Sequence, residues 1–448
     1  MQRRPLLFML LLAACAEVSP QLGHDDVARL VQASANSPMD NAWTTDDAAI
    51  AKRVTELLKQ PLTLTTTAQL TLLNNPELRA TYAGFGIAQA DLLQAGLLRN
   101  PSLGASLRFP NKALPVDLEL SLVADVLDIF VRPLRKKLAA DVFEQEKVKV
   151  AQTIVAALEQ TRALFVSVQA SQQLVALRRT VLEAGQAAAE LATLQQKAGN
   201  ISALDWETQQ AAFEQTRLDL TRDELDLAQQ RAKLSQHLGL QGQQVAWEIA
   251  LPLAEMPTRE VALAGLTERA QKTRLDLVAA RQQVAMFARA LELARTWRYV
   301  GAVQVGASYG QSPEAYSVLG PVLTLDLPIF DQRQALIARL EAQRLQAERQ
   351  LAGLGVTAEA EVRLAWQTMH AQRQMVDHYR NVLIPQRERI VQEAQRHYNG
   401  MFLGVFQLVQ AKQAEMNAYR EYLEAVRDFW LATMQLERAL GFRLEGNS

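Results

Sequence analysis

The chain has 448 residues, a formal net charge of −1, 49% hydrophobic residues and only 6% aromatic ones. That balance supplies neither a basic footprint for nucleic acid nor an acidic field, and past the first fifteen residues no run of 18 apolar residues could cross a bilayer as a helix. Gly numbers 20 and Pro 15, while Ala, Leu, Gln, Glu and Arg dominate after residue 130, the usage of long helices.

Residues 1–14 read as a signal peptide: Arg3 and Arg4 form a basic head, 6–14 an apolar run too short to span, and Ala13 and Ala14 small residues before a cut. Cys15 is the single cysteine, so no disulfide within the chain can form. Leu12-Ala13-Ala14-Cys15 resembles a bacterial lipobox, in which the cysteine is acylated, and Ala16 stands where Asp would imply retention in the inner membrane. The resemblance implies a lipid anchor on Cys15 and an outer-membrane destination; several acyl chains at about 0.8 kcal/mol per buried CH₂ would hold it firmly. No other cofactor is expected. Residues 15–60 are polar and read as an irregular tether with one helix at 46–58.

From there the chain reads as two tandem copies, 61–240 and 262–441, joined by a linker at 241–261 and followed by a tail at 442–448. LVADVLDIF at 122–130 answers VLTLDLPIF at 322–330, Phe109 answers Tyr309, Gly185 answers Pro385, and Asn75-Pro76-Glu77-Leu78 answers Arg274-Leu275-Asp276-Leu277. Gly199 answers Gly400 with a slip of one.

Each copy has the same internal order. A helix at 76–98 starts with Asn75 as cap and Pro76 in the first turn. Period two follows: Leu103, Ala105, Leu107 and Phe109 alternate with small or polar residues, then Leu118, Leu120 and Leu122 alternate with Asp117, Glu119 and Ser121. Helical period returns over 133–197, roughly 95 Å at the α-helical rise, breaks at Gly199-Asn200, and runs back over 203–238 from Ser202 as cap. The second copy gives strands near 300–310 and 317–327, a helix at 332–398, a break at Asn399-Gly400 and a helix at 401–440 with Tyr419, Leu423, Val426 and Trp430 in its stripe. Such short breaks make antiparallel helical hairpins, each carrying a strand pair at the end away from its tip.

Strands of about 9 to 11 residues suffice to cross a hydrocarbon layer when tilted, and an open sheet edge cannot stand in lipid. Four strands per chain are fewer than the smallest barrels use. If these strands cross a membrane, chains must pool them, and two or three copies satisfy the count; leucines would face lipid while Asp117 and Glu119 face a watery lumen. A soluble packing of two sheets with a polar outer face explains the same alternation.

The duplication, the NPEL helix start at 75–78, the strand-to-helix corner at 327–330 and the Tyr398-x-Gly400 break together resemble the TolC-type outer-membrane efflux protein family over about 60–441. The resemblance implies a mainly α fold with a small β part: a homotrimer with a 12-stranded barrel continued by an α-helical periplasmic tunnel. It further implies docking to a periplasmic adaptor (membrane fusion) protein and an inner-membrane efflux pump, and passive export of small molecules or ions. A lipidated coiled-coil adaptor or a structural rod is the alternative from another class.

A conduit catalyses no reaction, and HExxH, Walker and CxxC patterns are missing from the sequence. The turns bearing Gly199 and Asn200, and Asn399, Gly400 and Met401, would by the resemblance be periplasmic tips that contact the adaptor. Glycine there also suits a left-handed helix end. Relatives ring the entrance with aspartates after the second tip; this chain has Gln407 and Gln410 instead, so a milder gate of Asp205, Gln407 and Gln410 is the expectation. Met369, His370, Met375 and His378 have soft-metal donor types, but Met is a common core filler and no metal site is assigned to them.

Overall fold

The computed structural model describes residues 19, 21–39, 43–109, 116–249, 252–254, 256–257, 260–311 and 316–444. The leader and Cys15 lie outside the described residues, as does the end of the tail.

The described residues are mainly helical with one small sheet. The elements run α1 (His24–Ala35), α2 (Asp47–Leu57), α3 (Leu64–Asn74), α4 (Pro76–Gly96), β1 (Ser102–Arg108), β2 (Asp117–Asp125), α5 (Leu127–Lys197) and α6 (Ala203–His237). There follow α7 (Leu266–Thr273), α8 (Leu275–Thr296), β3 (Val303–Gln311), β4 (Ser317–Leu325), α9 (Gln334–His378), a π-turn (Tyr379–Leu383), α10 (Ile384–Asn399) and α11 (Val405–Leu440). No helix among the described residues is long and apolar enough to cross a membrane.

Several boundaries differ from the sequence reading, each for a local reason. The segment expected to be irregular before residue 46 contains α1, whose Val27 and Val31 are fully buried. α5 starts at Leu127 and carries Pro133 inside its second turn, where the ring removes one intrahelical hydrogen bond without ending the helix. In the second half, Pro328 falls in the corner and the helix waits until Gln334. The helix expected over 332–398 is divided by the π-turn directly before Pro385; a π-turn is the usual way to take an extra residue into a helix without ending it. Gly185, its partner in the alignment of the halves, stays within unbroken α5.

The chain forms two compact units, and each takes segments from both halves. One holds 1–27, 83–150 and 276–354; the other holds 28–82, 151–275 and 355–448. The first contains the whole sheet. There the carbonyls that end α4 are gathered by guanidinium groups of α5: Arg132 Nε donates to Gly96 O (2.6 Å), and Arg135 donates to Ala95 O (3.0 Å) and Leu97 O (2.7 Å). Helix ends leave such carbonyls without intrahelical partners. Arg135 also binds Asp128 (2.6 Å), which accepts from the Arg99 backbone N–H (3.1 Å). Burial alone would raise the Asp128 carboxyl pKa, but these donors hold it below its ordinary value.

The second unit explains the NPEL motif. Asn75 closes α3 and caps α4 by accepting from Leu78 N–H (2.9 Å), while its Nδ2 donates to His237 O at the end of α6 (2.6 Å). Asn74 Nδ2 donates to Leu238 O (2.8 Å) and Gly239 O (2.9 Å). Gly239 has φ +69°, and a Cβ there would sit 2.4 Å from Asn74 O. In the later half Thr273 and Arg274 do the same work, donating to Leu440 O (2.9 Å) and Ala439 O (3.2 Å) beside Gly441, φ +72°.

Two apolar cores fill this unit. One gathers Ile50, Leu62, Phe165, Leu234, Leu238 and Trp247; the other centres on Val362, Met369, Val426, Phe429, Leu436 and Leu440. The linker is strapped down: Trp430 Nε1 donates to Ala254 O and Trp366 Nε1 to Val261 O, both at 2.8 Å. Arg373 adds a bond to Pro257 O (3.0 Å). An indole buried at an apolar edge needs such an acceptor.

Candidate channel wall and hairpin tips

The four strands make one antiparallel sheet in the order β1-β2-β3-β4. Its register carries the argument. Leu103 faces Leu122, Ala105 faces Leu120 and Leu107 faces Leu118; on the next pair Leu120 faces Tyr309 and Leu122 faces Ala307; then Val305 faces Leu323 and Tyr309 faces Leu319. Because directly paired residues share a face, all of these apolar side chains lie on one side. They are open to the surroundings, Leu103 at 74%, Leu319 at 77% and Leu323 at 63% exposure. An apolar face of this extent on a soluble surface would be unusual.

The opposite face is smaller and more polar, though it includes Val123, Val318 and Val322: Gly104 pairs with Ser121, Ser308 with Gly320 and Gln304 with Thr324. Gly306 permits the β2–β3 contact, since a Cβ there would meet Leu122 O at 2.2 Å. Asp117 and Glu119, the expected lumen residues, are on this face. A partner unforeseen from the sequence sits beside them: Arg108 Nη2 lies 3.2 Å from Glu119 and Nη1 3.7 Å from Asp117. The register would have located it, because Arg108 is directly opposite Asp117. Among the described residues the outer edges of β1 and β4 are not paired to another strand.

The tips belong to the second unit. At the first, Asn200 N–H donates to Gln195 O (2.8 Å) with Gly199 at φ +76°, the six-to-one closure of a left-handed helix end. At the second, Phe402 N–H donates to His397 O (2.9 Å), and the left-handed residue is Met401, φ +64°. Gly400 has φ −81°. The expectation that Gly400 supplies the left-handed turn is therefore corrected: Met401, not Gly400, is the counterpart of Gly199. A Cβ at Gly400 would lie 2.9 Å from the Phe402 ring, which would have to turn aside. Asn399 is the last residue of α10. Met401 and Phe402 stand almost fully exposed, at 95% and 83%.

The three gate candidates divide. Asp205 N–H donates to Ser202 Oγ (3.1 Å) and its carboxylate accepts from the same hydroxyl (2.7 Å). Gln407 Oε1 accepts from Gly404 N–H (2.7 Å). Both thus serve as the third residue of a helix start, turned back on the cap. Gln410, one turn on, is exposed. The Met/His cluster is dispersed by its surroundings: Met369 is buried in the core, and His370 stacks on Trp366 (5.0 Å) with Nδ1 3.0 Å from Glu260. Met375 and His378 are exposed. No group of three or more His, Cys, Asp or Glu able to hold a metal ion occurs among the described residues.

An apolar strand face, a polar strand face and long helical hairpins characterise this fold. Residues 67–240 match the family described as outer membrane efflux protein. The whole architecture resembles solved structures. A membrane protein from Pseudomonas aeruginosa superposes with a TM-score of 0.71 at 20% identity, over 84% of this chain and 92% of that one. The Campylobacter jejuni CmeC outer membrane channel gives 0.70 at 12% identity, covering 86% and 87%. The outer membrane protein VceC from Vibrio cholerae gives 0.67 at 18% identity, covering 85% and 97%. Comparison with curated proteins returns no match. Residues 67–240 are thus similar to the outer membrane efflux protein family, and the fold over most of the chain is that of these solved structures.

Proposed function

We infer that three copies pool their sheets into a 12-stranded barrel in the outer membrane, continued by an α-helical tunnel, and that this homotrimer is the exit duct of a tripartite efflux system. The observation that carries the reading is that the described residues form a single sheet with one continuous apolar face and an open strand edge on each side. Unpaired edge groups cost several kcal/mol each in hydrocarbon, so such a sheet is suited to lipid only when β4 of one copy pairs with β1 of the next. Twelve strands leave an open lumen where eight would be filled by side chains.

In this reading the two copies of the unit, 61–240 and 262–441, are tandem repeats. Cys15 carries the covalent lipid, and the tips bearing Gly199, Asn200, Asn399, Gly400 and Met401 receive the periplasmic adaptor, whose partner is an inner-membrane pump. Exposed Met401 and Phe402 suit such a contact. Asp205, Gln407 and Gln410 shape the entrance. Cargo, small molecules or ions, passes without chemistry.

The test is conductance: protein purified from outer-membrane detergent extracts is added to a planar bilayer. Stepwise conductance from a trimeric species supports the reading. A soluble or inner-membrane monomer without conductance supports the adaptor or rod instead.

A further inference from the structure

The polar face of the sheet carries its charge unevenly. β3 and β4 place no charged residue on it, and Asp125, at the end joined to the helices, lies 3.6 Å from Arg99. At the turn end stand Arg108, Asp117 and Glu119, with the guanidinium between both carboxylates. Side chains are 67% exposed for Arg108, 30% for Asp117 and 47% for Glu119, so the contacts contribute little to stability. Their role is the field they leave.

We propose that Arg108 is a specificity-determining residue of the channel: it offsets one of two lumen carboxylates and holds the ring at the turn end to a mild preference for small cations. The inference rests on the trimeric reading given above. Fixed charge of one sign on a low-dielectric wall concentrates counter-ions at that level. Each copy contributes one positive and two negative groups, so removing the cation doubles the net negative charge of the ring, and removing Glu119's charge abolishes it. The field reaches ~30 Å at 0.01 M salt and ~8 Å at 0.15 M, so the effect is largest in dilute electrolyte.

The experiment is the reversal potential of single channels across a tenfold KCl gradient, with the dilute side near 0.01 M, for wild type, Arg108→Gln, Arg108→Lys and Glu119→Gln. Expected are a K⁺/Cl⁻ permeability ratio raised about twofold or more in Arg108→Gln, the wild-type ratio in Arg108→Lys, and a ratio near one in Glu119→Gln. Conducting Arg108→Gln and Glu119→Gln channels with the wild-type ratio overturn the proposal while leaving the channel reading intact. Wild-type protein that conducts nothing overturns the channel reading, and this inference falls with it.

Discussion

Asp205 and Gln407 occupy the same place in the two hairpins: each is the third residue of the helix that leaves a tip, and each turns its side chain back to the cap position, Ser202 in one case and Gly404 in the other. Residues considered for a gate are therefore also fastenings of the turns. The two roles separate by substitution. Asp205→Ala should lower stability by about 1 kcal/mol, the worth of a helix-start bond, whereas Asp205→Asn should keep the fold. A changed ion preference in Asp205→Asn channels at unchanged unfolding midpoint supports a gating role; an unchanged preference assigns Asp205 to the turn alone.

Met401 supplies a test of the tip geometry. A non-glycine residue in the left-handed region costs roughly 1 kcal/mol, so Met401→Gly should stabilise the protein slightly, by up to about 1 kcal/mol. Gly199→Ala, with φ +76°, should do the reverse. Both are read by thermal unfolding of the detergent-solubilised protein.

Arg162 and Glu437 form an ion pair with side chains only 5% and 3% exposed. Removing one partner leaves a buried charge, and Arg162→Ala should cost about 3–5 kcal/mol. The double change Arg162→Met with Glu437→Leu should recover most of that loss in denaturant titrations.

Beside this pair, burial raises the Glu159 carboxyl to about 7, with Arg438 and Arg162 opposing and Glu437 adding to the rise. The folded state then binds the proton more tightly than the unfolded chain. Its contribution to stability is complete below the ordinary Glu value of about 4.5 and is lost as pH rises through about 7. Glu159→Gln should flatten the fall in unfolding temperature between pH 5 and 7; an equal slope in both proteins contradicts the assignment.

Much of this was legible in the sequence because period announces strand and helix so differently here. Period two over 102–109 and 117–123 located β1 and β2, and unbroken helical period located α5, α6 and α11. What escaped depended on contacts distant in sequence. The role of Arg108 needed the strand register, and the strapping of the linker needed Trp366 and Trp430, more than a hundred residues away. α1 was missed although Val27, Val31 and Ala35 recur at helical spacing, because the stripe is short and set in a polar segment. The second tip departs from its glycine for a different reason: the left-handed position usually marked by glycine is borne there by a methionine, and the glycine lies against Phe402.

The apolar face of the sheet, which meets lipid in the proposed barrel, is directly accessible to substitution. Arginine at Leu319 or Leu323, on the exposed apolar face, should cost about 2–4 kcal/mol near the bilayer midplane and reduce recovery from outer-membrane fractions. Arginine at Ser308 on the other face should be tolerated.

Sheet closure between copies is most directly tested by native mass spectrometry of the protein released from outer-membrane extracts in mild detergent. A particle of three chains, stable until the detergent is replaced by denaturant, is the predicted result. A single chain that stays dispersed in water without detergent would contradict the account.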